Sequence, residues 1–273
     1  MPITEDASDY AYIIDLIYER SGIRLHEGKK PLIRARLGKR MRALGIEDLG
    51  TYCDHLRSRE GENELTHTVD ALTTNFTSFL REEQHFKTLV NEALPSVIKP
   101  GQKAFKVWSA ACSTGEEPYS IAIYLAEHFP LAQGWNWEVL ATDISTKALD
   151  KAKAGVYASD RLNTLPPEWL RRHFQRGEKQ WAGYYRVKPA LAARIKFMQL
   201  NLLGDYPFSG PFETIFCRNV MIYFDRPTQH GLVNHLHSCL GPGGWLMVGH
   251  SESLTGLSTP LKCIRPSIYR RTN

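Results

Sequence analysis

Residues 105–128, which read FKVWSAACSTGEEPYSIAIYLAEH, decide the fold of this chain. The stretch begins with a run of β-forming residues, Phe105 to Ala111, and continues through a loop of small residues with one glycine. It ends in the amphipathic pattern of a helix, Glu116 to His128. A strand followed directly by a helix is the repeating unit of α/β proteins, in which helices cover both faces of a parallel sheet.

The same unit recurs on the carboxyl side, with a second helical pattern at Lys147 to Ala154. The later predicted strands are Trp137–Thr142, Ile195–Leu200, Phe212–Cys217, Trp245–Gly249 and Ser267–Arg271. Between Val156 and Arg194 the spacing is too long for one crossover. We therefore predict an insertion there, with a helix at Pro166–Phe174 and a short aromatic hairpin at Gln180–Val187.

The amino-terminal region has a different pattern, because residues 8–90 show helical periodicity without strand-like alternation. The predicted helices are Tyr10–Arg20, Pro31–Leu44, Leu49–Ser58, Asn63–Leu72 and Glu82–Leu94. Pro100 and Gly101 mark the change of pattern. An all-helical region is therefore expected before the α/β domain.

Composition excludes several classes of protein. The 273 residues are 42% hydrophobic and 23% charged, which is typical of a globular protein. We find no apolar run near the ~18 residues of a membrane span, and the amino terminus is acidic and polar, so we expect a cytoplasmic protein without membrane insertion. The five cysteines are widely spaced, which argues against disulfides or structural zinc. His235 and His237 lie in a helical pattern, and we expect no metal site.

Positive charge is concentrated in one segment, Arg24 to Arg42, which carries a net charge of +7 while the whole chain carries +5. Apolar residues recur at helical spacing from Pro31 to Leu44, so the basic side chains lie mainly on the solvent side. Two interpretations remain open at this point. The segment is either an ordinary solvated helix face or a docking surface for an acidic partner, such as nucleic acid or an acidic helix.

The loops that follow the predicted strands indicate the ligand, because ligands collect at the carboxyl ends of the strands in such sheets. The loop from Ala110 to Pro118 matches no phosphate-binding glycine motif, and its two acids, Glu116 and Glu117, would repel a pyrophosphate. Asp143, after the second strand, is suited to gripping ribose hydroxyls, although it would also serve as a helix cap. Together, a loop without a phosphate motif and an acid suited to ribose suggest a nucleoside ligand that carries no pyrophosphate. S-adenosylmethionine is the common cofactor of that kind.

Several longer motifs occur in one order along the chain and carry a resemblance. They are LTTNFTSFLRE (72–82), WSAACSTGEEPYSIA (108–122), ATDIS (141–145), NLL (201–203), IFCRNVMIYFD (215–225) and VGHSES (248–253). With these motifs, nearly the full chain resembles the CheR family, the chemotaxis receptor glutamate methyltransferases. One departure is Leu80, where the family often has phenylalanine.

The resemblance implies a fold and a division of the chain. The fold is α/β: a Rossmann-like class I methyltransferase domain with a small inserted β-subdomain, preceded by an all-helical domain. We expect a helical substrate-docking domain at residues 1–80, a linker helix at 81–100 and the S-adenosylmethionine domain at 101–273, with the inserted subdomain at about 156–194.

The resemblance also implies roles for individual residues. Arg81, Arg218 and Tyr223 are the expected catalytic residues. The expected contacts with S-adenosylmethionine, or with its product S-adenosylhomocysteine, are Asn75, Thr77, Arg81, Ala111, Glu117, Asp143, Asn201, Leu202, Arg218 and Asn219. The expected receptor-docking residues are Arg34, Arg36, Arg40 and Arg42.

The implied activity is methylation of glutamate side chains on methyl-accepting chemotaxis receptors, which serves sensory adaptation. The implied partners are the cytoplasmic helical bundle of the receptors and a receptor carboxyl-terminal peptide at the inserted hairpin, and the enzyme is expected to be a monomer that binds no nucleic acid. Two alternatives remain: a methyltransferase for another acceptor, and a non-enzymatic nucleic-acid-binding regulator that uses the basic helix 31–44. The absence of an Asn/Asp-Pro-Pro-Tyr/Phe segment argues against a base amino group as acceptor.

Overall fold

A computed structural model describes residues 7–208 and 210–272. The chain begins with four helices: α1 (Ala7–Ser21), α2 (Lys30–Leu44), α3 (Leu49–Arg57) and α4 (Glu62–Leu72). Their apolar faces enclose a core of their own, in which Ile13, Ile33, Leu37 and Tyr52 are fully buried. The predicted helical region is therefore confirmed.

Local chemistry explains where these helices begin and end. Pro31 lies in the first turn of α2, where its missing N–H costs nothing. Gly45 ends α2 in the left-handed conformation, at φ +70°. The Asp48 carboxylate caps α3 by accepting the Thr51 N–H at 2.8 Å.

The segment that joins the helical region to the sheet is less regular than the predicted helix Glu82–Leu94. It contains α5 (Gln84–Thr88), a π-helical turn (Leu89–Ala93) and α6 (Leu94–Val97). Glu82 has φ +56°, which excludes it from a helix and delays the start of α5. Residues 74–78 before it are neither helix nor strand, and they run beside the loop after β1.

The sheet begins as the quoted stretch predicts, with β1 (Ala104–Ala110) and α7 (Glu116–His128), followed by β2 (Asn136–Asp143) and α8 (Thr146–Ala154). Strands β1 and β2 are parallel, and Ala110 pairs with Thr142. Ser145 caps α8 by accepting the Ala148 N–H at 3.1 Å. Both strands therefore end at the same edge of the sheet.

The insertion is a three-stranded antiparallel sheet. Its elements are β3 (Val156–Ala158), α9 (Pro167–His173), β4 (Phe174–Arg176), β5 (Tyr184–Val187) and α10 (Pro189–Ala192), and the strand order is β3-β5-β4. The hairpin predicted within Gln180–Val187 was placed too far along the chain. Only β5 lies in that range, its hairpin partner is β4, and residues 177–183 form the turn.

The chain then completes the main sheet with β6 (Ile195–Gln199), β7 (Phe212–Cys217), α11 (Arg226–Cys239), β8 (Leu240–Val248), β9 (Leu261–Arg265) and β10 (Ile268–Arg271). The order is β6-β2-β1-β7-β8-β10-β9, with the first five strands parallel. Apolar clusters cover both faces. The predicted α/β class with a Rossmann-like domain is confirmed.

Two strands differ from prediction. Strand β9 was missed, because it is an edge strand whose central residues, Lys262 to Ile264, are exposed and show no alternation. Strand β8 begins at Leu240 instead of Trp245, because glycine and proline at 241–244 hide its start. In the part of the chain that the structure describes, no helix is both long and apolar enough to cross a membrane.

Candidate active site

A cleft opens at the carboxyl ends of β1, β2, β6 and β7, between the sheet and the segment 73–81. The empty space between its lining residues is about 890 Å³, with the open mouth of the cleft included. All ten residues expected to contact the cofactor line this one cleft: Asn75, Thr77, Arg81, Ala111, Glu117, Asp143, Asn201, Leu202, Arg218 and Asn219. Tyr223 lines it as well.

Asp143 lies at the end of β2 with its carboxylate buried. Oδ2 accepts the Ser113 N–H at 2.7 Å and Oδ1 accepts the Ser145 N–H at 2.9 Å. Burial raises the pKa of Asp143, and these backbone hydrogen bonds oppose that effect. Because a carboxylate has about four acceptor positions, two remain for ligand hydroxyls that enter from the cleft.

The loop after β1 approaches the cleft in a strained conformation. Ala111 has φ +69° and Ser113 has φ +52°, both in the left-handed region, and Gly115 follows at φ +98°. Such angles are rare for residues other than glycine, and they cluster at functional sites. Here the positive φ angles direct the Ser113 N–H toward Asp143. They also place the first residue of α7 next to the cleft.

The segment 73–82 closes the other side of the cleft. The Ser113 hydroxyl donates to the Asn75 carbonyl at 3.1 Å, which ties this segment to the loop after β1. The Arg81 guanidinium donates to the Phe76 carbonyl at 3.1 Å and lies 5.6 Å from the centre of the Phe76 ring. That ring is 72% exposed. Arg81 therefore reaches the mouth of the cleft, where an acceptor would enter.

Arg218 is held between two carboxylates. Its guanidinium contacts Glu82 Oε2 at 3.1 Å and Glu117 Oε2 at 3.2 Å, and it also donates to the Arg81 carbonyl. Only 2% of its side chain is exposed. Burial tends to raise the pKa of Glu82, but the Arg218 charge and His250 hold it below its usual range.

These contacts bear on the expected catalytic role of Arg218, which stays a prediction. The sequence assigns Arg218 to the acceptor carboxylate, but its guanidinium is already used by Glu82 and Glu117 within the protein. Arg218 therefore connects β7 to α7 and to the segment that carries Arg81. We interpret it as a positioning residue.

Glu252 is a site residue that the sequence analysis quoted within VGHSES but did not assign. Its buried carboxylate accepts backbone N–H groups from Asn219 at 2.8 Å, Gly249 at 2.6 Å and Ile222 at 3.3 Å. Asn219 is itself in the left-handed region at φ +57°. Glu252 thus fixes the loop after β7. The sequence feature that could have identified it is an acidic residue beside turn-forming residues in the VGHSES motif.

Asn201 and Tyr223 lie where the helical region meets the sheet. The Asn201 side-chain amide donates to the Arg20 carbonyl at 2.8 Å, so this amide holds α1 while the residue lines the cleft. The Tyr223 carbonyl accepts the Arg24 N–H at 2.9 Å. The Tyr223 hydroxyl has no hydrogen-bond partner among residues 7–208 and 210–272, and it remains available to a ligand.

The chain matches two sequence models of one family. The model described as "CheR methyltransferase, all-alpha domain" matches residues 8–73, and the one described as "CheR methyltransferase, SAM binding domain" matches residues 75–269. The chain belongs to the CheR methyltransferase family.

Curated relatives agree with this assignment. A chemotaxis protein methyltransferase of Salmonella typhimurium is 44% identical over 258 residues, which cover 94% of this chain and 88% of the relative. The Escherichia coli protein of the same name has the same identity and coverage. Chemotaxis protein methyltransferase 2 of Pseudomonas aeruginosa is 39% identical over 96% of this chain and 92% of its own length.

The cleft suits the cofactor that this CheR domain binds, S-adenosylmethionine. Asp143 offers acceptors for the ribose hydroxyls, and Ile144, Leu200 and Leu202 supply apolar surface for a flat base. Glu117 places negative charge beside the cleft, which suits a sulfonium cation. Burial raises the pKa of Glu117, while Arg218 and the Ser109 hydroxyl, at 2.7 Å, favour its ionised form.

The expected docking arginines lie outside this cleft, and the contacts of Arg40 and Arg36 show how α2 is held. Arg40 binds the Glu64 carboxylate through two hydrogen bonds, at 2.8 and 2.6 Å. Arg36 donates to the carbonyls of Leu72 and Thr73, each at 2.9 Å. Of the expected set, Arg34 and Arg42 are exposed. Arg36 and Arg40 are half-buried and hold other parts of the helical region, and their part in docking stays a prediction.

Proposed function

We propose that this protein transfers methyl groups from S-adenosylmethionine to glutamate side chains of chemotaxis receptors, forming γ-glutamyl methyl esters in sensory adaptation. The observation that carries the proposal is the convergence, in a CheR family chain, of ten separately expected cofactor contacts on one cleft. Curated relatives that cover 94% and 96% of this chain are named chemotaxis protein methyltransferases.

The residues of the cleft have a limited chemical task. S-adenosylmethionine, when bound, supplies an electrophilic methyl group. An acceptor glutamate is already ionised near neutral pH, so the protein need not provide a general base. Its task is to hold the acceptor carboxylate in place, and positioning of this kind contributes about 7 kcal/mol or more to lowering a barrier.

Arg81 and Tyr223 are the residues we assign to that task. Arg81 reaches the mouth of the cleft, and the Tyr223 hydroxyl is available inside it. Arg218 acts through Glu82 and the Arg81 carbonyl, and so fixes the backbone that carries Arg81. A guanidinium already shared by two carboxylates does not compete strongly for the acceptor, which remains nucleophilic.

We further propose that residues 1–80 dock the receptor, residues 81–100 link the two parts, and residues 101–273 bind the cofactor. The docking surface is the exposed side of α2, with Arg34, Lys39 and Arg42, and its partner is the acidic face of the receptor's cytoplasmic helical bundle. We expect a cytoplasmic monomer that binds no nucleic acid.

The insertion is proposed to hold a receptor carboxyl-terminal peptide. Strand β5 is central in its sheet, so the edge that accepts a strand is β4 or β3, in contrast to the predicted edge at Trp181–Val187. Beside β4 lies a groove with two exposed aromatic side chains, Trp181 and Tyr184. Strand addition would give affinity through the main chain, and these aromatics would give selectivity.

The test is a methylation assay with methyl-labelled S-adenosylmethionine and receptor-containing membranes. We expect label on the receptor that is released as methanol by mild base, and no label on a receptor whose acceptor glutamates are replaced by alanine. Base-stable label would indicate another acceptor chemistry. Absence of cofactor binding, together with steeply salt-dependent binding to random DNA, would favour the nucleic-acid regulator.

A further inference from the structure

We propose that Glu82, His85 and His250 form a site for a divalent transition-metal ion, with Zn²⁺ as its representative. The three residues lie beside the cleft but outside its lining. They offer one carboxylate oxygen and two imidazole nitrogens, all within 4.8 Å of one another. Binding of the ion does not depend on the proposed function.

Hydrogen bonding around His85 determines which ring nitrogen carries its proton. The Ser267 hydroxyl donates its single proton to the Pro266 carbonyl at 2.7 Å. Nε2 of His85 lies 2.9 Å from the same hydroxyl oxygen, and with the hydroxyl proton on the carbonyl side the neutral ring donates through Nε2. The lone pair of the neutral ring is then on Nδ1.

The lone pair on Nδ1 of His85 then faces the Glu82 carboxylate, and no proton lies between the two atoms. Nδ1 of His85 has no hydrogen-bond partner among the described residues, and it lies 3.5 Å from Glu82 Oε2. The His85 side chain is only 1% exposed, so water does not compensate. Glu82 Oε2 is paired with Arg218, so the unsatisfied buried group is Nδ1 of His85, and a metal ion bound to its lone pair would satisfy it.

His250 completes the set from the opposite side. Its Nε2 lies 4.0 Å from Glu82 Oε2, and its side chain is 58% exposed on the loop after β8. Ligands at ~2.0–2.1 Å from a tetrahedral Zn²⁺ lie about 3.4 Å apart, so the His85 pair already has the right separation. His250 must move closer to the other two ligands, and its exposed side chain permits this movement.

The donor set indicates the kind of ion. Two imidazoles and one carboxylate suit Zn²⁺ and neighbouring transition metals, whereas Mg²⁺ and Ca²⁺ prefer oxygen ligands. His85 also donates its second nitrogen to a neighbour, as metal-bound histidines do. The nearby Arg218 guanidinium competes for Glu82 Oε2, which limits the affinity of the site.

The experiment is a calorimetric Zn²⁺ titration of the full chain without a histidine tag, repeated with Co²⁺ and followed by visible absorption. The test variant is His250→Ala, on an exposed loop where loss of folding is not expected. The matched control is His67→Ala, which removes an exposed histidine from α4. A Mg²⁺ titration serves as the ion control.

We expect one Zn²⁺ per chain, no detectable Mg²⁺ binding, and a loss of Zn²⁺ affinity of about tenfold or more in His250→Ala. His67→Ala should bind as the wild type does. No Zn²⁺ binding up to millimolar concentration would overturn the proposal. It would also be overturned if both variants bound Zn²⁺ as the wild type does, or if both lost affinity equally.

Discussion

Asp143 organises the cofactor side of the cleft through its two backbone hydrogen bonds. We expect S-adenosylmethionine and S-adenosylhomocysteine to bind at micromolar concentration, and Asp143→Ala to weaken both by roughly 10- to 100-fold. The physical reason is that hydrogen bonds to a charged group contribute about 1.5–3 kcal/mol each. Calorimetry measures this, with Asp150→Ala, an exposed acid of α8, as the matched control. Unchanged affinity in Asp143→Ala would remove this residue from the site.

The variant Arg81→Ala tests whether Arg81 positions the acceptor carboxylate. We expect Arg81→Ala to lower the methylation rate by about 100-fold or more, because the acceptor loses its positioning cation. Folding should persist, since the lost guanidinium makes a single local hydrogen bond, to the Phe76 carbonyl. Initial rates and circular dichroism measure the two effects, and Lys87→Ala removes an exposed cation nearby as control. Wild-type turnover by a folded Arg81→Ala protein would contradict the assignment.

At the scale of elements, α2 combines structural and exposed charges. Reversing the charges of Arg36 and Arg40 is a poor test of receptor docking, because it would also disturb the helical region. It would break the Arg36 contacts to Leu72 and Thr73. It would also place a carboxylate at position 40 beside Glu64. The double reversal Lys39→Glu and Arg42→Glu acts on exposed residues. We expect it to lower kcat/KM for receptors about tenfold at low salt.

This effect should shrink above roughly 0.15 M salt, where the Debye length is about 8 Å. Cofactor affinity should remain unchanged. The matched control reverses Lys151 and Lys153, two exposed lysines of α8. If Lys39→Glu with Arg42→Glu methylates receptors as the wild type does, the basic face of α2 is only solvated surface.

A substitution in the hairpin of β4 and β5 tests whether the insertion binds a receptor-tail peptide. Gly183 has φ +86°, and a Cβ added there would contact nothing within 4 Å, so a substitution acts through backbone strain alone. We expect Gly183→Val to cost about 1–2 kcal/mol in the turn and to abolish binding of a receptor-tail peptide without changing cofactor affinity.

Gly134→Val is the matched control, because Gly134 has φ +84° and equally open space in a distant turn. Fluorescence titration with the peptide distinguishes the two variants. Failure of the peptide to bind the wild type up to millimolar concentration would leave receptor contact to α2 alone.

At the scale of the whole molecule, Arg161 connects the insertion to the cofactor domain. Its guanidinium binds the Glu116 carboxylate and donates to the Thr77 carbonyl at 2.8 Å, which holds the closing segment. We expect Arg161→Ala to weaken cofactor binding several-fold, because the segment gains freedom that binding must remove. Calorimetry checks this against Arg171→Ala on α9, and equal affinities would show that the connection is dispensable.

The sequence predicts the order of helices and strands because periodicity is a local property. It also places Asp143 and the loop after β1 at one cleft, since loops at the carboxyl ends of parallel strands share one edge of the sheet, whereas the other contacts were expected from the resemblance to the CheR family. It did not predict the pairing of Arg218 with Glu82, because these residues are 136 positions apart and their contact depends on the positive φ of Glu82. The pairing of Arg40 with Glu64 was not predicted either, since Glu64 belongs to another helix.

The central place of β1 in the sheet has a consequence for protein synthesis. Strand β1 pairs with β2 on one side and β7 on the other, and the cleft uses residues as late as Phe224. About 100 residues separate β1 from β7, so at roughly 5–20 residues per second a ribosome needs on the order of 5–20 s to supply the second flank. A nascent chain is therefore unable to take up the nucleoside until translation is nearly complete, although its amino-terminal helices emerge early.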